Sequence, residues 1–206
     1  MAAEPKNKSK SLLGINKNKI TISIGYSGKE IHQHAEILKT LFKDAKFISA
    51  KDKFVFILPM SHGCTTDYIN QIESLAKSYS LNYKLLTQIM TDAEIARLRN
   101  ATDIMIQLST SDGRSASIIE SLLAGAILIS GSWLPYKMFK EKNLYFHELS
   151  KIDFSLPELI LKISLNINGE LKTCQGNKEK WGFETWEKVI ENWIDIYDAL
   201  LKETPA

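Results

Sequence analysis

Residues 103–130 read DIMIQLSTSDGRSASIIESLLAGAILIS, and this stretch decides the fold. Residues 103–108 (DIMIQL) form a short apolar run that suits a strand, and residues 127–130 (ILIS) form another. Between them, residues 115–124 carry Ile118, Ile119, Leu122, Leu123 and Ala124, as an apolar helix does, and Gly125 closes that helix as a C-terminal cap. A strand, a helix and a second strand with short connections predict a unit whose strands lie side by side in parallel.

The same alternation continues in both directions. Upstream, residues 19–26 (KITISIGY) are β-branched and end at Gly25 and Gly28, and residues 30–42 place Ile31, Ala35, Leu38 and Leu41 at helical spacing. Residues 53–60 (KFVFILPM) are a continuous apolar run of the kind covered on both faces of a sheet, and residues 65–80 supply a helix with Ile69, Ile72, Leu75 and Ala76 inward. Residues 83–87 predict a short strand, and Thr91-Asp-Ala-Glu94 has the spacing of a capping box for a helix ending near Ala101. Downstream, residues 135–142 predict a short helix and residues 144–146 a sixth strand. The fold class expected is therefore α/β, a doubly wound, Rossmann-like parallel sheet over residues 19–168.

Residues 1–18 form a basic leader containing Lys6, Lys8, Lys10 and Lys17, expected to be disordered or a linker, with contact to a membrane surface as the sharper alternative. Residues 169–206 are expected to be C-terminal helices rich in aromatic anchors: Trp181, Phe183, Trp186, Trp193 and Tyr197. The 206 residues, 44% hydrophobic, suffice for one ordinary globular core. A net charge of +2 with scattered basic residues gives no reason to expect a nucleic-acid partner. Cys64 and Cys174 lie far apart without metal-ligand spacing, no metal site is expected, and cysteine usage fits a reducing compartment. No stretch approaches the ~18 apolar residues of a membrane span, and no signal-peptide core is present, so a cytoplasmic protein is expected.

Open parallel sheets bind ligands beyond the carboxyl ends of their strands, which directs attention to residues 25–29, 61–63 and 109–115. All three loops are rich in Gly, Ser or His, and each has two readings. Such residues make tight turns and helix caps, or they let a backbone approach an anion at a helix N-terminus. Asp112 and Ser115 are in the same way either caps or ligand contacts. Glu120 sits on a helix expected to be buried on most sides, where a carboxylate needs a ligand or an internal partner. A Rossmann oxidoreductase is disfavoured, because Gly25-Tyr-Ser-Gly28 lacks the glycine spacing of that class and no acidic residue closes the second strand.

Residues 88–129 resemble the signature of GT-B glycosyltransferases of the family-four, or group-one, type. The resemblance rests on the Ala101-Thr-Asp103 step, the strand leading to Ser109, the Asp112-Gly113 pair, Glu120 eight positions after Asp112, and the Ala124-Gly125 step before a new strand. It extends to the glycine loop of residues 25–29 and to Trp181-Gly-Phe-Glu-Thr-Trp186-Glu187 with the helix running through Tyr197 and Leu200, covering most of residues 19–202.

This resemblance implies the C-terminal, donor-binding domain of a retaining, metal-independent hexosyltransferase. Such an enzyme has no cofactor, a nucleotide-diphosphate sugar as donor, and a glycan or lipid-linked acceptor, as in polysaccharide biosynthesis. It implies an N-terminal acceptor domain in cis or in trans, without which the chain is incomplete, and work in the cytoplasm or at the inner membrane surface. By the same resemblance Glu120 binds the donor ribose, and Asp112 lies beside the donor sugar as a catalytic residue. The backbone of Gly113, Arg114 and Ser115 holds the diphosphate, and Gly25, Ser27, Gly28 and Ser109 line the donor. Lys29, ahead of His32 and His34, neutralises the leaving group. The chain departs from the pattern at Asp112, where glutamate is usual, at Ser115, where a second glycine is usual, and at Arg114, where an aromatic is common. A non-catalytic nucleotide-sugar-binding or regulatory subunit requiring a partner domain is the alternative.

Overall fold

The structure is a computed structural model and describes residues 4–113, 115–182 and 186–203. Six strands form one sheet: β1 (Ile20–Ile24), β2 (Phe54–Pro59), β3 (Tyr83–Leu86), β4 (Ile104–Gln107), β5 (Ile127–Gly131) and β6 (His147–Leu149). Their order is β3-β2-β1-β4-β5-β6 and every pairing is parallel. Chain order reverses between β1 and β4, so the doubly wound sheet expected from the sequence has its switch point there.

Helices α1 (Lys6–Leu12), α2 (His34–Leu41), α3 (Ala45–Ala50), α4 (Thr66–Ser78), α5 (Asp92–Ala101), α6 (Ala116–Leu123), α7 (Lys137–Glu141), α8 (Ser155–Leu165), α9 (Ile167–Gln175) and α10 (Asn177–Trp181) accompany the sheet, and α11 (Trp186–Glu203) follows them. Side chains alternate between its faces, as the pleat requires. Phe54, Phe56, Leu58, Ile104, Ile106, Ile127 and Ile129 point to one face and pack with Ile37 and Leu38 of α2, Ile72 of α4 and Ile160 of α8. Met105 and Leu128 point to the other face, onto Ile118 and Leu122 of α6 and Phe139 of α7, while Val55 and Ile57 meet Leu98 of α5. Trp181 closes the second cluster, and Cys174 is fully buried in the first, so α9 and α10 belong to the same core as the sheet. Helix α11 instead leaves Ile190, Trp193, Ile194 and Tyr197 exposed. Phe183 lies outside the described residues.

Three expectations are corrected. Within the basic leader, Lys6–Leu12 is a helix rather than a disordered segment: Lys10, 5% exposed at its side chain, is ion-paired to Asp103 and also donates to the Lys19 carbonyl at 2.9 Å. The same Asp103 oxygen accepts the Thr21 N–H at 2.8 Å. Lys6 lies 3.4 Å from the other oxygen while donating to the Thr102 carbonyl at 2.6 Å. A lysine of the basic leader is here the counter-ion of a buried carboxylate. Second, the helix expected over residues 30–42 is broken at Gln33, whose backbone is left-handed at φ 55°, so that a single tight turn at Glu30–His32 precedes α2. The Gln33 amide reaches the Leu108 carbonyl, which spends the break on bracing the loop after β4. Third, the last strand is His147–Leu149 and not residues 144–146. Asn177 bonds both the N–H and the C=O of Tyr145, at 2.7 and 2.9 Å, while Leu144 and Phe146 pack beside Phe139, and pairing with β5 begins only at His147↔Ile129.

Asp103→Ala leaves the buried Lys10 ammonium without its carboxylate and is expected to cost about 3–5 kcal/mol in urea unfolding. Removal of the exposed Lys137–Glu141 pair by Lys137→Ala should cost less than about 1 kcal/mol. Equal costs would show that the Asp103 cluster does not hold α1 to the sheet.

Candidate functional site

The loops after β1, β2, β4 and β5 meet at the carboxyl edge of the sheet. Gly25 ends β1 at φ 63°, and a Cβ there would lie 2.8 Å from His32, so glycine is required both by conformation and by contact. A Cβ on Gly28 would lie 2.4 Å from Cys64 Sγ, and the Gly28 N–H donates to the His62 carbonyl at 2.9 Å. That glycine lets the loop after β1 press against the loop after β2. Lys29 is exposed at the same edge, its methylenes running over Gly63. Among the described residues its ammonium has no ion-pair partner.

Behind this edge lies a buried polar layer. His32, 1% exposed, places Nε2 3.0 Å from the Ser27 hydroxyl and its ring edge-on to Tyr26, with centroids 4.3 Å apart. Gln107 donates to the Ser109 hydroxyl at 2.9 Å, and the Trp133 indole N–H donates to the Ser109 carbonyl at 2.7 Å. Ser27 and Ser109 are fully buried, so both support the loops from beneath rather than offering hydroxyls at the open edge. Burial pushes His32 down to about 4, against the opposing pull of Asp112. Burial likewise pushes His34, 3.3 Å from the Tyr68 hydroxyl, down to about 3. These two histidines are neutral packing groups at neutral pH and do not supply a cation to an anionic ligand.

The loop from β4 into α6 carries the remaining candidates. Ser115 caps α6, accepting the Ser117 N–H at 3.2 Å. Gly113 is exposed with open space where a side chain would project, and Arg114 lies outside the described residues. Asp112 is half-buried, and its carboxylate accepts the Tyr26 hydroxyl at 2.9 Å on one oxygen. The other oxygen accepts the Tyr136 hydroxyl and, at 3.3 Å, the Ser115 N–H. Burial and the neighbouring Asp112 charge raise both phenols above their ordinary value.

Glu120 stands elsewhere on α6. Its side chain is 49% exposed, which corrects the expectation of a helix buried on most sides: Ile118 and Leu122 face the sheet, and Glu120 projects sideways toward α5. There Arg99 Nε lies 3.4 Å from its Oε2, with the guanidinium 9% exposed. Of the two partners expected for this carboxylate, a ligand or an internal group, the described residues show an internal one, this arginine. Burial lowers the Arg99 pKa and the Glu120 charge opposes that shift, leaving a guanidinium that stays protonated. Beside the pair lies a cavity of about 560 Å³, lined by Arg99, Asn100, Ser117, Glu120 and Lys178 among others. Arg99 and Ser117 also line a cavity of about 300 Å³ at the sheet edge, together with Tyr26, Ser61, His62 and Met90.

The structure therefore unites Asp112 and Ser115 with Tyr26 in one cluster, sets Glu120 on an adjoining groove, and places Lys29 over the second loop. Tyr26 stood unremarked inside the quoted glycine loop, and Tyr136 and Arg99 carry no motif. Among the described residues, no group of three or more His, Cys, Asp or Glu side chains is arranged to hold a metal ion, and no helix is long and apolar enough to cross a membrane.

No protein-family model and no curated protein sequence matches the chain. Solved structures do. HepE of Anabaena, solved in complex with UDP and glucose, superposes with a TM-score of 0.74 at 12% identity, over 94% of this chain and 52% of HepE. The fold is that of a GT-B C-terminal domain. The C-terminal domain of LpcC, a group 1 family glycosyl transferase from Francisella tularensis, gives a TM-score of 0.67 at 15% identity, covering 88% of this chain and 93% of that one. Sucrose-phosphate synthase from Thermosynechococcus elongatus gives 0.71 at 15% identity, covering 97% and 50% respectively. The chain thus spans about half the length of the longer GT-B proteins it superposes on and nearly all of the isolated C-terminal domain.

The two buried histidines make stability depend on acidity. The unfolded chain takes up their protons near the ordinary 6.5, the folded chain only at about 4 and about 3, so the unfolded state binds more protons in between. Their stabilising effect is complete above pH ~6.5 and declines as the pH falls through about 4 for His32 and about 3 for His34. In an imidazole NMR titration, His32 and His34 should remain neutral down to about pH 5. Titration of either near its ordinary value would contradict the burial argument.

Proposed function

We propose that the chain is the donor-binding half of a retaining nucleotide-sugar glycosyltransferase, holding the nucleoside diphosphate of the donor across the carboxyl ends of β1 and β4. The observation that carries this reading is the placement of α6. Its N-terminus opens at the switch point, while Glu120 stands one turn further along beside the Arg99 groove. A diphosphate at the first turn of α6, next to Gly113 and Ser115, would meet the positive end of the helix dipole. A ribose lying along the groove would find in Glu120 an acceptor for both of its hydroxyls.

Arg99 holds that carboxylate in place and offsets its charge, which would otherwise repel the diphosphate. Lys29 supplies positive charge where the leaving diphosphate develops its own, so no metal ion is needed for that step in this reading. The complex of HepE with UDP and glucose, on the same fold, supports a nucleotide-sugar donor. The acceptor, a glycan or lipid-linked sugar, would be bound by an N-terminal domain in cis or in trans, in the cytoplasm or at the inner membrane surface, as part of polysaccharide synthesis.

A second reading has an observation of its own. The Asp112 carboxylate, the expected sugar-side catalytic group, is already occupied by two tyrosine hydroxyls and a backbone N–H. A nucleotide-sugar-binding or regulatory subunit would retain Glu120 and the α6 terminus without needing Asp112 to touch the sugar.

Calorimetry with UDP, GDP and TDP tests the donor site, and at least one should bind the folded chain. Glu120→Ala should weaken that binding about 10–100-fold, the loss of hydrogen bonds to a charged acceptor, with an unchanged unfolding midpoint. A folded chain that binds none of the three nucleotides would overturn the assignment.

A further inference from the structure

Asp112 joins three loops. Tyr26 belongs to the loop after β1, Asp112 and Ser115 to the loop after β4, and Tyr136 to the segment between β5 and α7. A carboxylate offers about four acceptor positions, and here the Tyr26 hydroxyl, the Tyr136 hydroxyl and the Ser115 N–H take three of them. Both phenols are rooted in packed surroundings. Tyr136 is 1% exposed with its ring stacked on Phe139 at 4.9 Å, and Tyr26 lies edge-on to the buried His32. Neither post can follow a carboxylate that turns away toward a ligand without leaving its own hydroxyl unpaired, which is costly in a half-buried site.

We infer that Asp112 is a positioning residue: a latch, held between Tyr26 and Tyr136, that fixes the first turn of α6 for an anionic ligand, and not a group that contacts the donor sugar. This inference rests on the donor-site reading above for its ligand, while the latch itself stands on geometry. Its action runs through Ser115. Asp112 accepts the Ser115 N–H, Ser115 in turn caps α6 by accepting the Ser117 N–H, and these are the residues at which a diphosphate would bind. The latch also answers an electrostatic difficulty. A carboxylate beside a phosphate site repels its ligand, and two phenolic donors draw off part of that charge through hydrogen bonds. The short aspartate side chain, a departure from the family pattern, is then the length that this spacing between the two posts selects.

A sugar contact and a latch differ in what they do to a nucleotide that carries no sugar. With UDP and UDP-glucose as probes in calorimetry, Asp112→Asn replaces one acceptor oxygen by a donor and should weaken both ligands by the same factor, about tenfold. Tyr136→Phe should weaken both likewise. The double variant should lose little beyond either single one, because all three remove one junction. Tyr26→Phe serves as the milder variant should Tyr136→Phe unfold, and unfolding midpoints are recorded for each. Asp112→Glu should weaken binding under the latch and preserve it if the carboxylate reaches the sugar.

Loss of UDP-glucose affinity in Asp112→Asn with UDP unaffected, or Tyr136→Phe binding both probes as the wild type does, would overturn the proposal. Should the wild type bind neither probe, the donor-site reading fails and the latch is judged alone by NMR of ring-labelled tyrosine and backbone amides. Asp112→Asn should then shift Tyr26, Tyr136 and the Ser115 and Ser117 amides together, and unchanged spectra at these positions would refute it.

Discussion

Parallel strands buried on both faces can present a ligand only with their ends, and in this chain both ends of β4 are governed by a carboxylate. At its amino end Asp103, 2% exposed, gathers Lys6, Lys10 and the Thr21 N–H and so binds the leader helix α1 to β1 and β4. Beyond its carboxyl end Asp112 gathers Tyr26, Tyr136 and the Ser115 N–H. In the first cluster Asp103 and Lys10 are buried and only Lys6 reaches solvent, and the cluster's role is structural. The second is half-buried and lies where the order of strands reverses, so its neighbours form a crevice. A cavity of about 560 Å³ also exists at the amino edge, lined by residues such as Asn16, Lys19, Ser49 and Lys53, so volume alone does not distinguish the two ends. Topology, the α6 terminus and the Arg99–Glu120 pair favour the carboxyl end.

The polar layer beneath the crevice explains how short loops keep a fixed shape. Ser27 with His32 and Gln107 with Ser109 are buried hydrogen-bonded pairs, and the Trp133 indole ties the Ser109 carbonyl to the loop after β5. Gln107 Oε1 and His32 Nδ1 are buried without a partner among the described residues. Burial keeps His32 neutral, so the layer adds rigidity without adding a charge behind an anion site. Lys29 and Glu120 stand at the surface, with the buried Arg99 behind Glu120, and Asp92 and Lys178 line the same cavity as that pair.

The strands could be read from the sequence because a sheet covered on both faces needs continuous apolar runs, as in residues 53–60 and 103–108. The glycine loop and the α6 cap were legible for similar local reasons. What escaped depends on partners remote in the chain. Tyr26 lies 86 positions from Asp112, Tyr136 lies 24 from it, and Arg99 lies 21 from Glu120. Asn177, which delays the sixth strand, lies 32 positions from Tyr145. The helical position of Glu120 is legible in the sequence but its exposure is not, because Ile118 and Leu122 on either side of it face the sheet while Glu120 itself turns to solvent. Nothing local in the leader shows that Lys10 pairs with Asp103, 93 positions away.

On the proposed reading the carboxyl edge at α6, and not the amino edge, receives a nucleoside diphosphate. In backbone-amide NMR of the chain titrated with UDP, shifts should then concentrate at Gly113, Ser115 and Ser117, at Arg99 and Glu120, and at Tyr26. Shifts concentrated instead around Asn16, Lys19 and Lys53 at the opposite edge would contradict it.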